Sequence, residues 1–454
     1  MTEATVAVRD FDATPEALEA AITALDDVGA IGGGVHAPQA RRAAFATYRR
    51  LAARRARFPP RWRHDYAALA FEDVRWSTGR LVVPAAVRTA RAEVADAPAL
   101  ALENLAGLVH AGGVLLVSGE RRDDARFTLA PLADALRAKP SRAGTSLGAL
   151  ARASDDRFVA LATAFQNCGA FVEVAADARL ESPLQLLWLG RPGEAGAIFP
   201  QTLVRVGANA HATIVERHAA TGDSFVAGTV EIELAPGAHL DYVVVQEAGD
   251  GARLAFRRAA RCAAGSAIVW HLAELGGALA RSVVTADLRG AGASAGAYAL
   301  SFAGGFANAD LRVDVTHRAV ETISNVVVRR AAIDRGQGRF GGAIRIDAAA
   351  HRAHAALRDD GLALSRHAYL DTVPTLEIAG NDVSASHGAT VGSLDEEALF
   401  YVESRGIARS EARRMIALAF FEPAIAHFPS ETLRDEVRTA LDGRLDQVPE
   451  TFAS

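Results

Sequence analysis

Three kinds of residue on which many protein functions depend are scarce in this chain: cysteine, lysine and the aromatic residues. The 454 residues include two cysteines, Cys168 and Cys262, and aromatic residues make up 6%. Two cysteines are too few for a disulfide framework, and we expect both to be buried as small hydrophobic residues. The scarcity of aromatic residues predicts a core built from Ala, Val, Leu and Ile.

Lysine occurs once, at Lys139, which excludes a common mode of nucleotide binding. A Walker A loop needs a lysine followed by Ser or Thr, whereas Lys139 precedes Pro140. Residues 336–341 satisfy the pattern GxGxxG, but no helical pattern follows them, so the match is weak. We predict that these glycines permit tight turns and that the chain binds no nucleotide.

Charge and hydropathy give no reason to expect a nucleic-acid or membrane partner. The formal net charge is −5 at pH 7, and no apolar run approaches the roughly 18 residues of a membrane span. The N-terminal stretch is acidic and lacks the basic and apolar regions of a signal peptide. These features predict a cytoplasmic protein, long enough for about two or three structural units.

Residues 1–160 are expected to form a mainly helical N-terminal region. Thr14 can cap a helix with Pro15 at its first position, and Leu18 and Ile22 then share a face, with Leu25 on the same stripe. A second segment is rich in arginine, and we interpret it as a solvated helical face rather than a surface for RNA or an acidic partner. Its arginines are Arg41, Arg42, Arg49, Arg50, Arg54, Arg55, Arg57, Arg61 and Arg63.

The periodicity changes in residues 161–392, where short β-rich runs are separated by small turns. Glycine followed by a small residue recurs at Gly207, Gly237, Gly265 and Gly292, at intervals of 30, 28 and 27 residues. Repetition on this scale is typical of stacked arrays, in which each unit buries its apolar face against its neighbours. The pattern predicts a β-helix or β-solenoid, with a large β-sandwich as the alternative.

Residues 393–454 return to helical patterns. Helices are predicted over residues 394–404 and 410–427, with Pro429 ending the second. The second helix carries an apolar patch that we expect to be docked rather than exposed. Its members are Met415, Ile416, Leu418, Ala419 and Phe420.

The segment 374–407 is the most informative part of the chain. Its pattern predicts a short strand, a polar turn that contains His387, a short glycine-rich segment and a capped helix. Ser393 and Glu396 fit a capping box, and Gly406 is a helix stop. No apolar pattern places His387 in a core, and Gly388 beside it leaves the imidazole sterically free. Neutral histidine is a competent iron ligand, so His387 is the candidate site residue.

This segment closely resembles the C-terminal signature of the SufB/SufD family, scaffold proteins of iron–sulfur cluster assembly. The matching residues are Pro374, Leu376, Glu377, Asp382, Val383, residues 386–392, Asp395, residues 399–401 and residues 404–407. A thinner resemblance extends over roughly the last 290 residues. One departure is that Ala385 stands where members often carry a cysteine. That absence, and the few thiols overall, make the chain most similar to the SufD type.

The resemblance implies a right-handed parallel β-helix flanked by helical ends. It also implies a non-catalytic scaffold subunit that pairs with a SufB-like chain and, through its C-terminal helical region, with a SufC-like ATPase. A homodimer when the partner is missing is a further expectation. His387 would then be an interface ligand to a transient iron–sulfur cluster. Because a conventional cluster takes roughly four protein ligands, the two cysteines alone cannot hold one, and ligands must come from a partner chain or a small molecule.

The sequence alone is also compatible with several other interpretations. His387 could instead hydrogen-bond a turn carbonyl, and the chain could be a polysaccharide-active β-helix enzyme. Such an enzyme would use carboxylates from neighbouring turns, and Asp310, Asp314 and Asp347 are the candidates. A sulfur-relay role for the two cysteines would need exposed thiols with lowered pKa values. His317, His351 and His354 have no telling partner, and we interpret them as surface or packing residues.

Overall fold

The structure is a computed structural model. It describes residues 10–11, 18–19, 22, 36–53, 76–77, 107–111, 114–118, 125–138, 147–190, 197–220 and 224–446. Of the positions discussed above, Thr14, Pro15, Leu25, Lys139, Arg54, Arg55, Arg57, Arg61 and Arg63 lie outside these residues.

Strands dominate the described residues. In chain order they are β1 (Asp10–Phe11), β2 (Trp76–Ser77), β3 (Gly107–Ala111), β4 (Val114–Ser118), β5 (Phe127–Pro131), β6 (Cys168–Val174), β7 (Leu184–Gly190), β8 (Ala197–Ile198), β9 (Pro200–Val206), β10 (His211–Ala220), β11 (Phe225–Leu234), β12 (His239–Ala248), β13 (Arg253–Cys262), β14 (Ala267–Gly276), β15 (Leu279–Leu288), β16 (Ser294–Ala303), β17 (Asn308–His317), β18 (Ile323–Ala332), β19 (Gln337–Ile346), β20 (Ala353–Ala363), β21 (Tyr369–Ile378) and β22 (Val383–Ser393).

Two ten-stranded sheets face each other, and the chain alternates between them. Sheet 1 has the order β22-β20-β18-β16-β14-β12-β10-β7-β3-β4, and sheet 2 has the order β21-β19-β17-β15-β13-β11-β9-β6-β5, with β8 beside β11. From β6 and β7 onward every neighbouring pair is parallel, and register partners lie one turn apart, as His211 and His239 do. The chain is therefore a parallel β-solenoid with two strands per turn, as the sequence predicted, and the β-sandwich alternative is wrong.

The glycine spacing has a direct structural cause at one corner of the solenoid. Gly237, Gly265 and Gly292 have φ values of 70°, 64° and 70°. At the preceding turn the equivalent residue is Asn209, with 55°, and not Gly207 of the predicted repeat. The N–H of Gly237 donates to the carbonyl of Ala264 at 2.9 Å, so the turns are also bonded to one another. Only glycine adopts positive φ without steric cost, and Gly237 is where a β-carbon would also meet the Asn209 side chain at 2.4 Å.

The core fills the lumen between the two sheets. It consists mainly of Ala, Val, Leu and Ile, and its aromatic residues are Trp188, Tyr242, Phe256, Trp270 and Phe340. Two ion pairs are enclosed with them: Arg258 Nε lies 3.0 Å from Glu216 Oε2, and Arg330 Nη2 lies 2.6 Å from Asp359 Oδ2. Each charge is thereby compensated inside the protein, which a buried charge requires.

Helices α1 (Pro38–Ala53), α2 (Leu132–Ala138) and α3 (Arg157–Phe165) precede most of the strands. Leu18 and Ile22 are buried in the same cluster as α1 and α3, as the shared face predicted. Strands β3, β4 and β5, which the apolar spacing of residues 1–160 did not predict, extend the two sheets.

The interpretation of the arginine-rich segment as solvated is wrong for Arg41. Its guanidinium is buried and donates to the carbonyls of Ala164 and Gln166, at 2.9 and 2.7 Å. Arg41 therefore fixes α1 to the end of α3. Arg42, Arg49 and Arg50 are exposed, in agreement with the prediction.

Helices α4 (Glu396–Glu403), α5 (Arg409–Ile425) and α6 (Glu431–Asp446) follow the last strand, and α6 was not predicted as a separate helix. Asp395, not Ser393, caps α4, because its side chain accepts from the N–H groups of Glu397 and Ala398. Helix α5 docks on the outer face of sheet 1, but through Ala417, Phe421 and Ile425.

The predicted apolar patch on α5 is only partly docked, since Met415 is 44% exposed. Among the helices that the structure describes, none combines the length and the apolar character that crossing a bilayer requires.

Candidate functional site at the open end of the solenoid

The last turn of the solenoid ends in two unpaired strand edges. Strand β21 is the final strand of sheet 2 and β22 that of sheet 1, and each pairs on one side only within the described chain. In contrast to the fully buried positions along β10 to β20, no residue of β21 or β22 is buried. We call these two strands the open end. An unpaired edge offers backbone N–H and C=O groups to another chain.

His387 lies in the middle of β22, so the prediction of a polar turn around it is wrong. It pairs in register with Leu357 of β20, and Ala385 pairs with Ala355. Both β20 partners belong to the lumen core. Because register neighbours in a sheet share a face, His387 and Ala385 are on the lumen face, and the site of the absent cysteine lies beside the imidazole.

The lumen at the open end is largely apolar. The facing strand β21 presents Pro374, Leu376 and Ile378 on its lumen side, by register with Gly342, Ile344 and Ile346. Ile378 and Val391 are 44% and 46% exposed, although their neighbours one turn earlier are buried. His387 is exposed and is the only titratable side chain on the lumen face of these two strands. An apolar patch of this kind marks an interaction site.

The described part of the chain contains no group of three or more His, Cys, Asp or Glu side chains that could hold a metal ion. Within that part, His387 is thus an imidazole that could donate one ligand to iron, with the others supplied from outside it.

Cys168 and Cys262 are both buried in the lumen, as predicted. Burial raises the pKa of the Cys168 thiol well above its ordinary value and raises the pKa of Cys262 to about 12. Neutral, enclosed thiols are poor nucleophiles, so the sulfur-relay reading has no support.

The three other candidate histidines are surface or packing residues, as interpreted from the sequence. His351 and His354 are exposed. His317 is buried, with Nδ1 2.8 Å from Thr322 Oγ1 and Nε2 2.9 Å from Ser324 Oγ. Burial lowers the pKa of His317 to about 4, so its neutral ring joins the end of β17 to β18.

The carboxylates proposed for a polysaccharide-active enzyme are each paired with an arginine. Asp314 is bound by Arg312 at 2.8 Å, Asp347 by Arg318 at 3.0 Å, and Asp310 lies 3.8 Å from Arg281. Asp310 and Asp314 are four residues apart on one strand, which separates their Cα atoms by about 13 Å. Glycosidase carboxyl groups lie roughly 5–9.5 Å apart.

The GxGxxG pattern of residues 336–341 forms a turn and the start of β19, with no helix after it.

The fold and this end define a class: a β-solenoid whose last turn is left open and apolar around one histidine. The sequence profile of the family described as "SUF system FeS cluster assembly, SufBD core domain" matches residues 190–420. This match covers half of the chain, so the chain belongs to the SufBD family of iron–sulfur cluster assembly proteins.

Individual proteins that are similar to this chain belong to the same family. The chain is 28% identical to the iron–sulfur cluster assembly protein SufB of Bacillus subtilis, over 61% of this chain and 60% of that protein. It is 30% identical to SufBD family proteins of Staphylococcus saprophyticus and Staphylococcus haemolyticus, over 62% of this chain and 60% of each. The chain thus spans about 60% of the length of the relatives it matches.

The sequence reasoning missed one feature of this end, the acidic side chains on the outer face of β21. Asp371 and Glu377 stand there, in register with Arg339 and Arg345 of β19. The signal was present in the sequence, because Arg205, Glu233 and Arg261 alternate in charge at a 28-residue spacing, close to that of the glycines.

Proposed function

We propose that the chain is a SufD-like, non-catalytic scaffold subunit of a cytoplasmic Suf-type assembly complex. It pairs through its open end with a SufB-like subunit, and a SufC-like ATPase docks on its C-terminal helical region. The observation that carries this proposal is the position of His387, on the lumen face of an unpaired terminal strand. The division into residues 1–160, 161–392 and 393–454 is part of the same proposal.

His387 acts as one ligand to an iron–sulfur cluster that is cargo rather than a resident cofactor. A neutral imidazole donates a lone pair from one ring nitrogen to iron. A hydrogen bond from the other ring nitrogen tunes the basicity of the ligand. Ala385 supplies no thiolate on the same face. The remaining ligands come from the partner chain, and the apolar surroundings of the open end exclude water once the two chains meet.

The ATPase contact is supported by the exposure of the C-terminal helices. Helix α4 buries one residue, Leu399, whereas Phe400 and Tyr401 are 73% and 60% exposed. Met415 of α5 is exposed as well. Exposed aromatic residues and methionine are typical of protein interfaces. ATP-driven movement at these helices would change the geometry of the open end by rigid-body motion.

The test is co-expression of the chain with SufB-like and ATPase subunits from the same genome. Wild type, His387→Ala and the control His354→Ala are compared, because His354 is an exposed histidine on the neighbouring strand β20. Complex formation is measured by size exclusion, and iron and acid-labile sulfide are assayed after anaerobic purification. We expect all three complexes to form, and only His387→Ala to lose most of its iron.

Two outcomes would oppose the proposal. Equal iron in all three complexes would leave His387 as a structural strand residue. Absence of any complex would contradict the scaffold function and favour the polysaccharide-active alternative. That alternative predicts turnover of a member of a glycan panel by wild type and loss of the turnover in Asp314→Asn.

A further inference from the structure

The outer face of sheet 2 carries a column of side chains that alternate in charge from turn to turn. One position in register runs through the sheet 2 strands β6, β9, β11, β13, β15, β17, β19 and β21. In order it holds Glu173, Arg205, Glu233, Arg261, Asp287, Thr316, Arg345 and Glu377. Because strands in a sheet are about 4.8 Å apart, long opposite charges in one column can reach each other.

The interior of the column shows how a carboxylate is satisfied there. Glu233 lies 3.7 Å from Arg205 on one side and 3.0 Å from Arg261 on the other. Glu233 therefore has a cation on each of the two strands beside its own. Thr316 interrupts the alternation, and Asp287 pairs instead with Arg318 of the adjoining turn at 2.5 Å.

The column ends at the open end on an acidic side chain. Arg345 binds Glu377 through two contacts, Nε to Oε2 at 2.7 Å and Nη2 to Oε1 at 3.4 Å. Glu377 is half-exposed, and Arg345 is its one cationic partner among the residues that the structure describes. On its other side β21 has no neighbour among the strands that the structure describes.

A second column repeats the arrangement on the same face. Its members Arg281, Asp310, Arg339 and Asp371 alternate in charge over four successive strands, and the last is again a carboxylate on β21. The outer face of the terminal strand therefore presents two carboxylates, six residues apart. Neither β21 nor β22 contains a lysine or an arginine.

We infer that the strand that pairs with β21 belongs to a different protein and carries arginine or lysine opposite Glu377 and Asp371. A second copy of this chain would bring two more carboxylates and no cation on its own terminal strands. Like charges placed together at an interface disfavour the wrong partner. This inference rests on the proposed pairing through the open end and adds the chemistry that selects the partner.

The chain offers a variant that reverses the terminal charge without breaking its own ion pair. In the double variant Arg345→Glu/Glu377→Arg the pair is kept with opposite polarity. The neighbour of position 345 on the other side is Thr316, which is uncharged. We expect an unchanged unfolding midpoint and an affinity for the SufB-like subunit about tenfold or more weaker than wild type.

The control is the same exchange at a remote exposed pair. Arg42 Nε lies 2.6 Å from Glu19 Oε1, on the N-terminal helices, and Arg42→Glu/Glu19→Arg should leave the affinity unchanged. Binding is measured by titration at low and high salt, because a charge contact at an exposed edge weakens with ionic strength. Changing the partner's terminal-strand cations to Glu, one at a time, should restore binding to the double variant.

The outcomes separate this inference from the function on which it rests. If the double variant binds as wild type does, while His387→Ala still loses iron in the complex, the scaffold function stands and the cationic partner strand is wrong. If the wild-type chain alone forms a dimer as tight as the mixed pair, the occupant is a second copy and the inference fails. If wild type binds no SufB-like subunit, both fail together.

Discussion

Three histidines of this chain differ in role because their surroundings differ. His387 lies on the lumen face of the open end and is exposed, so its ring is accessible to a metal ion or side chain from another molecule. His317 is enclosed, and both of its ring nitrogens are within hydrogen-bond distance of hydroxyl groups. His354 is exposed on the outer face of β20. Residue type alone therefore could not separate a candidate ligand from a packing group.

The buried His317 predicts a dependence of stability on pH. Its pKa is lowered to about 4 by burial, from an ordinary value of 6.5. Between these values the unfolded chain binds a proton that the folded chain does not, so the free energy of unfolding falls as pH decreases from about 6.5 toward 4, by up to about 3 kcal/mol. Above pH 6.5 this group contributes no pH dependence.

The measurement is the urea midpoint at pH 7.5 and pH 5. We expect His317→Gln to be less stable at pH 7.5, since Thr322 and Ser324 lose a partner, but to lose less stability on acidification. The slope should fall without vanishing, because burial also lowers the pKa of His36 to about 4. The control His354→Gln should keep the wild-type slope, and an unchanged slope in His317→Gln would contradict the argument.

At the scale of elements, the sequence predicted the repeat better than it predicted the last strand. The glycine intervals were informative because each turn has a nearly fixed length and needs a residue at positive φ. Strand β22 was read as a turn because Ser384, Ser386 and Gly388 have low β propensity and no buried face imposes alternation. The resemblance located His387, but only the register with Leu357 shows which face it occupies.

Helix α4 gives a prediction for the proposed ATPase contact. Phe400 and Tyr401 are exposed on a helix that buries little, so the double change Phe400→Ser/Tyr401→Ser should leave the unfolding midpoint nearly unchanged. We expect capture of the ATPase to weaken roughly tenfold or more, since aromatic side chains dominate many interfaces. Pairing with the SufB-like subunit should remain.

The matched control for α4 is Phe306→Ser. Phe306 is 78% exposed in the turn between β16 and β17, far along the chain from α4. The three proteins are compared by ATPase pull-down and by size exclusion with the SufB-like subunit. Equal loss of ATPase in the control, or full retention in the double variant, would remove α4 from the docking surface.

At the scale of the whole molecule, the two ends of the solenoid are finished differently. At the first end, β4 and β5 join the sheets in antiparallel orientation. At the last end, no described residue covers the parallel edges of β21 and β22 or the apolar lumen between them. A solenoid turn buries its apolar face only against a neighbouring turn. Within the described part of the chain, the last turn therefore has a neighbouring turn on one side only.

This asymmetry predicts weak self-association of the isolated chain through the open end. Without a partner, a second copy covers Ile378 and Val391, although the carboxylates of β21 oppose the contact. Val391→Asp should abolish the association while the fold is retained. The control Ile323→Asp changes an apolar residue that is 52% exposed on β18, away from the end. The self-association of wild type and of both variants is measured by sedimentation equilibrium over a range of protein concentrations. Added SufB-like subunit should displace the wild-type self-association, and a wild type that stays monomeric at every concentration would show that the exposed lumen alone does not drive pairing.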